Sequence, residues 1–231
     1  MNSHTEPDIK SLQNNEANLD EAFEWFHKHS QPFIKLMSYY KCAMMEIETK
    51  LNVLNEEYSL EYNRNPISTV KTRLKHFQSI KDKLDRRNLP RTLESIENNL
   101  HDVAGVRVIC TFIEDVYAIA EAILNQDDIT LITKKDYISN PKPNGYRSLH
   151  LIVSIPIFLA HEKREMKVEI QLRTIAMDFW ASLEHQMRYK KNIYFTEQTE
   201  SELFECASLS AELDAKMNNL HMNTNEKNKE E

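Results

Sequence analysis

The sequence predicts an α/β fold, with a small sheet-bearing centre held between long helical ends. Three observations point there. Four β-rich stretches, 106–113, 129–136, 147–156 and 166–172, follow one another mid-chain, and a helical pattern at 114–126 separates the first two. Upstream, Phe33, Met37, Tyr40, Met44, Ile47, Leu51, Leu54 and Tyr58 repeat at 4-3-4-3 spacing, which makes one apolar seam on a long helix. Charge is also segregated. Residues 1–61 carry 5 basic and 11 acidic side chains and 192–231 carry 3 and 9, so 62–191 keeps 21 basic against 16 acidic. A basic centre between acidic flanks suits an anionic ligand for the middle of the chain.

The elements follow in order. Residues 1–17 are polar and read as a disordered tail. An N-terminal helical region spans 18–64, with a short helix over 18–31 and then the seam. The seam suits burial within the chain or a contact between subunits, and spacing does not choose between them. The central domain spans 65–191. Asn65-Pro66-Ile67 opens a predicted helix that runs to about Arg87, with proline in its first turn. A short helix over 92–100 precedes the β-rich stretches, and a helical pattern runs from Thr174 to about Lys191. Residues 192–222 form a C-terminal helix, with Leu203, Cys206, Ser210, Leu213, Met217 and Leu220 on one stripe. Residues 223–231 read as a second disordered tail.

Composition excludes several function classes. The chain has 2 glycines, where average usage would give about 16. Neither a Walker A loop nor a dinucleotide fingerprint can be built from so few. Any phosphate must therefore be held by side chains, chiefly Lys and Arg. The three cysteines lie far apart and fit reduced thiols of a cytoplasmic protein. No run reaches 18 apolar residues, and the N-terminus lacks the apolar stretch of a signal peptide, so no membrane partner is expected. His101-Asp102 lacks the further ligands that a metal hydrolase needs, and His27 and His29 are badly spaced on a helix for a shared metal.

Four constellations remain. On the helix expected over 66–87, Val70, Leu74, Phe77, Ile80 and Leu84 form the core stripe, while Lys71, Lys75, Ser79, Lys83 and Arg86 gather on another face. That row is either a polyphosphate grip or an ordinary solvated face. Arg73 falls inside the apolar stripe, where a guanidinium needs an anion or a flat ring, and a structural ion pair answers equally well. In "MKVEIQLRT" Val168, Ile170 and Leu172 face one side, and Lys167, Glu169, Gln171 and Arg173 the other. "HDVAGVRVICTF" sets Arg107 opposite Val106 and Val108, with Asp102 just before the strand. Two carboxylates on neighbouring strands can share one Mg²⁺ between phosphate oxygens, although unrelated surface carboxylates are commoner. Finally, Asn144-Gly145 permits a turn, after which Tyr146, Ser148 and His150 alternate to one face. Tyr146 is then either a site residue or a core residue at a strand start.

Taken in order, "VKTRLKHFQSIKDK", "HDVAGVRVIC", "DYISNPKPNGYRSLHLIV" and "VEIQLRTIAMDFWASLEH" resemble the RelA/SpoT alarmone synthetases over about 65–190. The short chain resembles the small stand-alone members, which carry no hydrolase domain. The resemblance implies a nucleotidyltransferase-like mixed β-sheet flanked by helices. It implies transfer of the β,γ-pyrophosphate of ATP to the 3′-hydroxyl of GDP or GTP, releasing AMP. By motif position, Asp102 and Glu169 would hold Mg²⁺, and Glu169 would activate the acceptor hydroxyl. Arg73 and Arg107 would sandwich the adenine, and Lys75, Ser79, Lys83 and Arg86 would grip the donor phosphates. Tyr146 would stack on guanine, with Lys142, His150 and Gln171 nearby and Gly145 as the pivot. Asp178 stands where many members of that family have Asn, which puts its role in acceptor binding in doubt. Small members of the family are typically homotetramers. An RNA-binding module is the rival reading, since a basic helix and Tyr146 could bind a single strand, with RNA binding as regulation beside catalysis a further variant. A catalytically dead scaffold is a third reading, and the presence of both carboxylates argues against it.

Overall fold

The computed structural model describes residues 9–62, 64–189 and 196–227. The chain divides into two compact units, up to Tyr39 and from Tyr40 onward. The first contains the start of helix α1 (Ile9–Tyr62), where Ser38 Oγ donates to the Lys35 carbonyl at 2.7 Å. Two expectations change at this helix. It runs unbroken through Pro32 instead of ending near residue 31, because a proline removes one ladder bond but the flanking turns keep theirs. It also takes in 9–17, which had read as tail, since extending an existing helix adds one hydrogen bond for each residue fixed. The rest of that tail, 1–8, lies outside the described residues.

The second unit is built on a five-stranded mixed sheet of order β1-β2-β5-β4-β3. Its strands are β1 (Ile67–Leu74), β2 (Ala104–Cys110), β3 (Thr130–Asp136), β4 (Leu149–Phe158) and β5 (Lys163–Thr174). Helices α2 (Phe77–Arg86) and α3 (Leu93–Asn99) connect β1 to β2, and α4 (Ile113–Leu124) follows β2. Helices α5 (Ile175–Tyr189) and α6 (Glu197–Lys227) follow β5. Only β2 and β5 pair in parallel. They are interior strands, buried on the face where Val106, Val108, Val168, Ile170 and Leu172 line up with Leu149, Leu151 and Val153 of β4.

The largest correction is β1. Residues 67–74, expected as the start of a helix, form an antiparallel edge strand on β2. Ile67, Thr69, Val70 and Thr72 are β-branched and favour the pleat over the helix. The helix starts only at Phe77. Of the expected core stripe, Ile80 and Leu84 are buried in α2, whereas Phe77 is exposed. Arg73 therefore does not sit in an apolar helical stripe. It projects from an edge strand opposite Gly105.

The seam on α1 is answered over Tyr40–Leu54. Tyr40, Met44, Ile47, Leu51 and Leu54 are buried within the chain itself. Lys50 ties this part of α1 to Asp128 at 2.8 Å, and the Asn55 side chain accepts from the Ile67 amide at 3.0 Å. Helix α6 docks with only part of its expected stripe. Leu213, Met217 and Leu220 are exposed, and the docked face carries Ala207, Ser210 and Asp214. The helix continues to Lys227, past the expected boundary at 222, and 228–231 lie outside the described residues. No described helix is long and apolar enough to cross a membrane.

Candidate active site

Strand register lays out a polar face opposite the apolar one. Across the sheet, Lys71 of β1 faces Arg107 of β2, Gln171 of β5, His150 of β4 and Lys135 of β3. The next row is Arg73, Gly105, Glu169, Ile152 and Thr133. Arg73 and Arg107 are thus diagonal neighbours on one face, a spacing that long side chains bridge. Gly105 gives its row a bare backbone floor between Arg73 and Glu169.

Asp102 sits where β1 ends and β2 begins, beneath α2. Its Oδ2 meets Lys75 Nζ at 2.7 Å and Lys83 Nζ at 2.5 Å. Its Oδ1 is buried and has no hydrogen-bond partner. Burial acts to raise the Asp102 carboxyl, but the two ammonium groups overcome it and hold it below its ordinary value. Lys83 is pushed down, first by burial and then by Lys75 and Arg87, against the pull of Asp102. Ser79 lies one turn before Lys83, half-buried. Arg86 does not join this cluster; it is exposed, and its Nε donates to the Asp82 carbonyl of its own helix at 3.3 Å.

Glu169 belongs to a closed ring of hydrogen bonds. Arg173 Nη2 donates to the Tyr146 hydroxyl at 2.6 Å and to Gln171 Oε1 at 3.1 Å. Gln171 Nε2 donates to Glu169 Oε2 at 2.9 Å. Glu169 Oε1 lies 3.2 Å from His150 Nδ1, and His150 Nε2 lies 2.8 Å from the Tyr146 hydroxyl. Donor counting fixes one proton of the ring. The ionised Glu169 carboxylate can only accept, so the His150 Nδ1 proton points to it, and the Tyr146 hydroxyl accepts from Arg173 while meeting Nε2. Burial acts to raise the Glu169 carboxyl, but the His150 and Gln171 bonds bring it below its ordinary value, with Asp102 a small opposing charge. Glu169 is therefore ionised at neutral pH and senses Asp102.

The loop before β4 delivers the aromatic member. Gly145 N donates to the Lys142 carbonyl at 2.8 Å, closing a turn with Pro143 and Asn144 in the middle, and Asn144 Oδ1 accepts from Tyr146 N at 3.2 Å. Gly145 has φ 83°, which few other residues tolerate. The Lys142 ammonium lies 4.6 Å from the centre of the Tyr146 ring and 4.7 Å from that of Tyr137. Ser148 shares the face of Tyr146 and His150 as alternation suggests, but lies beneath the ring: it is fully buried, accepts from Arg173 Nε at 3.4 Å and donates to the Leu172 carbonyl at 3.1 Å. Helix α6 braces this loop. Thr174 Oγ1 donates to buried Asp214 Oδ2 at 2.8 Å, Arg147 approaches the same oxygen at 3.6 Å, and Tyr146 packs against Trp180, Ala181 and Ala207.

Two participants escaped the sequence reading as site residues, and a third, Asp178, is noted there only for a doubtful role in acceptor binding. Arg173 is buried, and its side on β5 was legible from alternation with Glu169 and Gln171. Tyr137, edge-on to Tyr146 and His150, carried no signal. Asp178, on the first turn of α5, gathers Arg107 at 3.3 Å, Arg173 at 3.2 Å and Lys71 at 3.8 Å.

Known proteins share this arrangement of elements. The family model described as a region found in RelA / SpoT proteins matches residues 72–194. The chain is 46% identical to GTP pyrophosphokinase YwaC of Bacillus subtilis over 178 residues, covering 77% of this chain and 85% of that one. It is 34% identical to GTP pyrophosphokinase YjbM of the same organism over 181 residues, 78% of this chain and 84% of that one. Among solved structures, small alarmone synthetase 2 from Bacillus subtilis superposes with a TM-score of 0.75 at 41% identity, covering 83% of this chain and 98% of that one. Small alarmone synthetase 1, bound to its product pppGpp, gives 0.77 at 32% identity over 83% and 97%. The matched span takes in β2 with Asp102 before it, the Tyr146 loop and β5 with Glu169, and on that ground the chain belongs to the RelA/SpoT family.

Proposed function

We propose that this chain is a GTP pyrophosphokinase. It transfers the β,γ-pyrophosphate of ATP to the 3′-hydroxyl of GDP or GTP, so that ppGpp or pppGpp and AMP leave. The 3′-oxygen bonds to the β-phosphorus, the bond from that phosphorus to the α,β-bridging oxygen breaks, and the hydroxyl proton passes to the base. The observation that carries the reading is a pair of carboxylates near enough to sense each other, Asp102 clamped by two lysines just before β2 and an ionised Glu169 on β5.

The residues take roles that their surroundings support. Glu169 is ionised and fixed by two neighbours, as a base for the 3′-hydroxyl should be. Lys75, Lys83 and Ser79 face the donor phosphates, and Arg86 reaches them only from the exposed rim. Arg73 and Arg107 stack on the adenine. Tyr146 is the guanine platform, with Lys142, His150 and Gln171 around it. The Lys142 ammonium lies against that ring, so an incoming base displaces it. Mg²⁺ fits the carboxylate pair, because Asp102 Oδ1 is a buried anionic oxygen with no partner and hard divalent cations take oxygen ligands. When bound there by Asp102 and Glu169, it would neutralise phosphate charge in the transition state. The chain acts as a homo-oligomer, a tetramer, for which the exposed Leu213, Met217 and Leu220 of α6 supply apolar contact.

Labelled ATP incubated with the protein and GDP, GTP or neither, with products separated by chromatography, tests this. AMP and a guanosine product that carries the transferred pyrophosphate should appear together and require the acceptor. Release of ADP or free pyrophosphate without a guanosine product would overturn it.

A further inference from the structure

Two guanidiniums crowd the polar face. Arg107 and Arg173 lie on adjacent strands, and burial first, then the nearby Arg173 charge, push the Arg107 guanidinium below its ordinary value. Arg173 is 4% exposed, a position a charge occupies only when paired. One carboxylate answers both. Asp178 Oδ1 accepts from Arg107 Nη1 and from Arg173 Nη1, and its Oδ2 faces Lys71. Two of these cations reach in opposite directions. Arg107 belongs to the donor-base side, beside Arg73. Arg173 grips the Tyr146 hydroxyl and Gln171, and through Gln171 the carboxylate of Glu169.

We propose that Asp178 is a positioning residue that sets both nucleotide subsites at once, holding Arg107 for the donor base and Arg173 for the acceptor platform. The proposal rests on the assignment of those subsites above. A substitution at Asp178 then behaves unlike one in either subsite, because it loosens two arginines that serve different nucleotides. Asparagine keeps the shape and one acceptor oxygen but removes the charge that two guanidiniums share.

The test is calorimetric titration of the full chain with a non-hydrolysable ATP analogue and, separately, with GDP. Arg73→Ala should weaken only the ATP analogue and Tyr146→Ala only GDP. Asp178→Asn should weaken both, each by roughly tenfold, as expected for loss of a hydrogen bond to a charged group. In an Arg107→Ala background, Asp178→Asn should leave the ATP analogue where Arg107→Ala put it and still weaken GDP. A merely structural role would not produce that selectivity. If Arg73→Ala and Tyr146→Ala fail to separate the nucleotides, the two-subsite assignment falls and the proposal with it. If they separate them and a folded Asp178→Asn spares either nucleotide, the proposal alone is overturned. Should Asp178→Asn prove too unstable to titrate, Tyr146→Phe decides. It keeps the ring but removes the hydroxyl that Arg173 holds, so GDP affinity should fall several-fold, and an unchanged affinity would overturn the link.

Discussion

Replacing Gly145 by alanine tests whether the Tyr146 loop and helix α6 form one mechanical unit. Two costs add. At φ 83° a Cβ meets the neighbouring carbonyl, worth about 1–2 kcal/mol. A Cβ built there also lies 2.4 Å from the Cβ of Ala207, an atom with no rotamer to yield. Forcing loop and helix apart costs about 1–3 kcal/mol, typical of overpacking. The sum, about 2–5 kcal/mol, should lower the melting temperature by roughly 4–20 °C for a chain of this size. Ala207→Gly separates the two costs. With that Cβ gone, the nearest neighbours of a Cβ at 145 are Phe204 Cδ2 at 3.5 Å and Ala207 Cα at 3.9 Å, which is ordinary contact. The double variant should therefore recover about 1–3 kcal/mol relative to additivity, once the cost of glycine in a helix, about 1 kcal/mol, is measured on Ala207→Gly alone. Thermal and urea unfolding of the four proteins closes the cycle. A Gly145→Ala variant that melts with the parent, or strict additivity with Ala207→Gly, would refute the bracing.

Three further outcomes are expected. Glu169→Gln should abolish pyrophosphate transfer while the fold survives; more than about a tenth of the parent rate, a barrier change below roughly 1.4 kcal/mol, would remove Glu169 from the chemistry. Asp102 and Glu169 are both held below their ordinary values of 3.8 and 4.5, so the unfolded chain takes up protons first as pH falls. The stability they contribute is whole above about pH 4.5 and lost below it as the folded carboxylates titrate. The melting temperature should drop with acid more steeply for the parent than for Glu169→Gln, and equal slopes would contradict the linkage. Charging Met217 and Leu220 together should lower the mass in solution, measured by light scattering, without unfolding the chain. Leu51→Ala, by contrast, should cost about 2–5 kcal/mol of stability because its site is internal core; an unchanged mass for the α6 variant would remove that helix from the interface.

What was legible in the sequence depended on whether hydrophobic period and local geometry agreed. In β5 they do. Val168, Ile170 and Leu172 alternate without interruption, so Glu169, Gln171 and Arg173 could be placed on one face before any fold was known. In β1 they do not. The register slips between Ile67 and Thr69, so an extra residue separates two positions that face the same side. Ile67, Val70 and Leu74 then sit three and four apart, which is the signature of a helix. The bulge was invisible and the period misled, although Lys75 and Lys83 still belonged together. Helix α6 failed for a different reason. Its docked face must come close to Gly145 and answer Thr174, Arg147 and the Ile113 amide, so it is made of Ala207, Ser210, Asp214 and Asn218. Small and polar residues leave no mark in a hydrophobic pattern, and the apolar stripe that does leave one faces away.

The scarcity of glycine and the clustering of charge have one physical connection. A glycine-rich loop offers phosphates a row of fixed backbone N–H groups. A chain without one must use lysine and arginine, and these lose up to about 2 kcal/mol of rotamer freedom each when held still. Two carboxylates do that holding before any ligand arrives. Asp102 collects Lys75 and Lys83, and Asp178 collects Arg107, Arg173 and Lys71. Each anchor is partly buried, so its attraction is screened less than it would be at the surface. Neither is saturated: Asp102 keeps one oxygen unpaired, and Lys71 stands 3.8 Å from Asp178, at the limit of an ion pair. The ordering cost is thus met in folding, and the cations stay near enough to their anchors to turn toward a phosphate without first being found. Gly105 completes the arrangement by putting no side chain between Arg73 and Glu169.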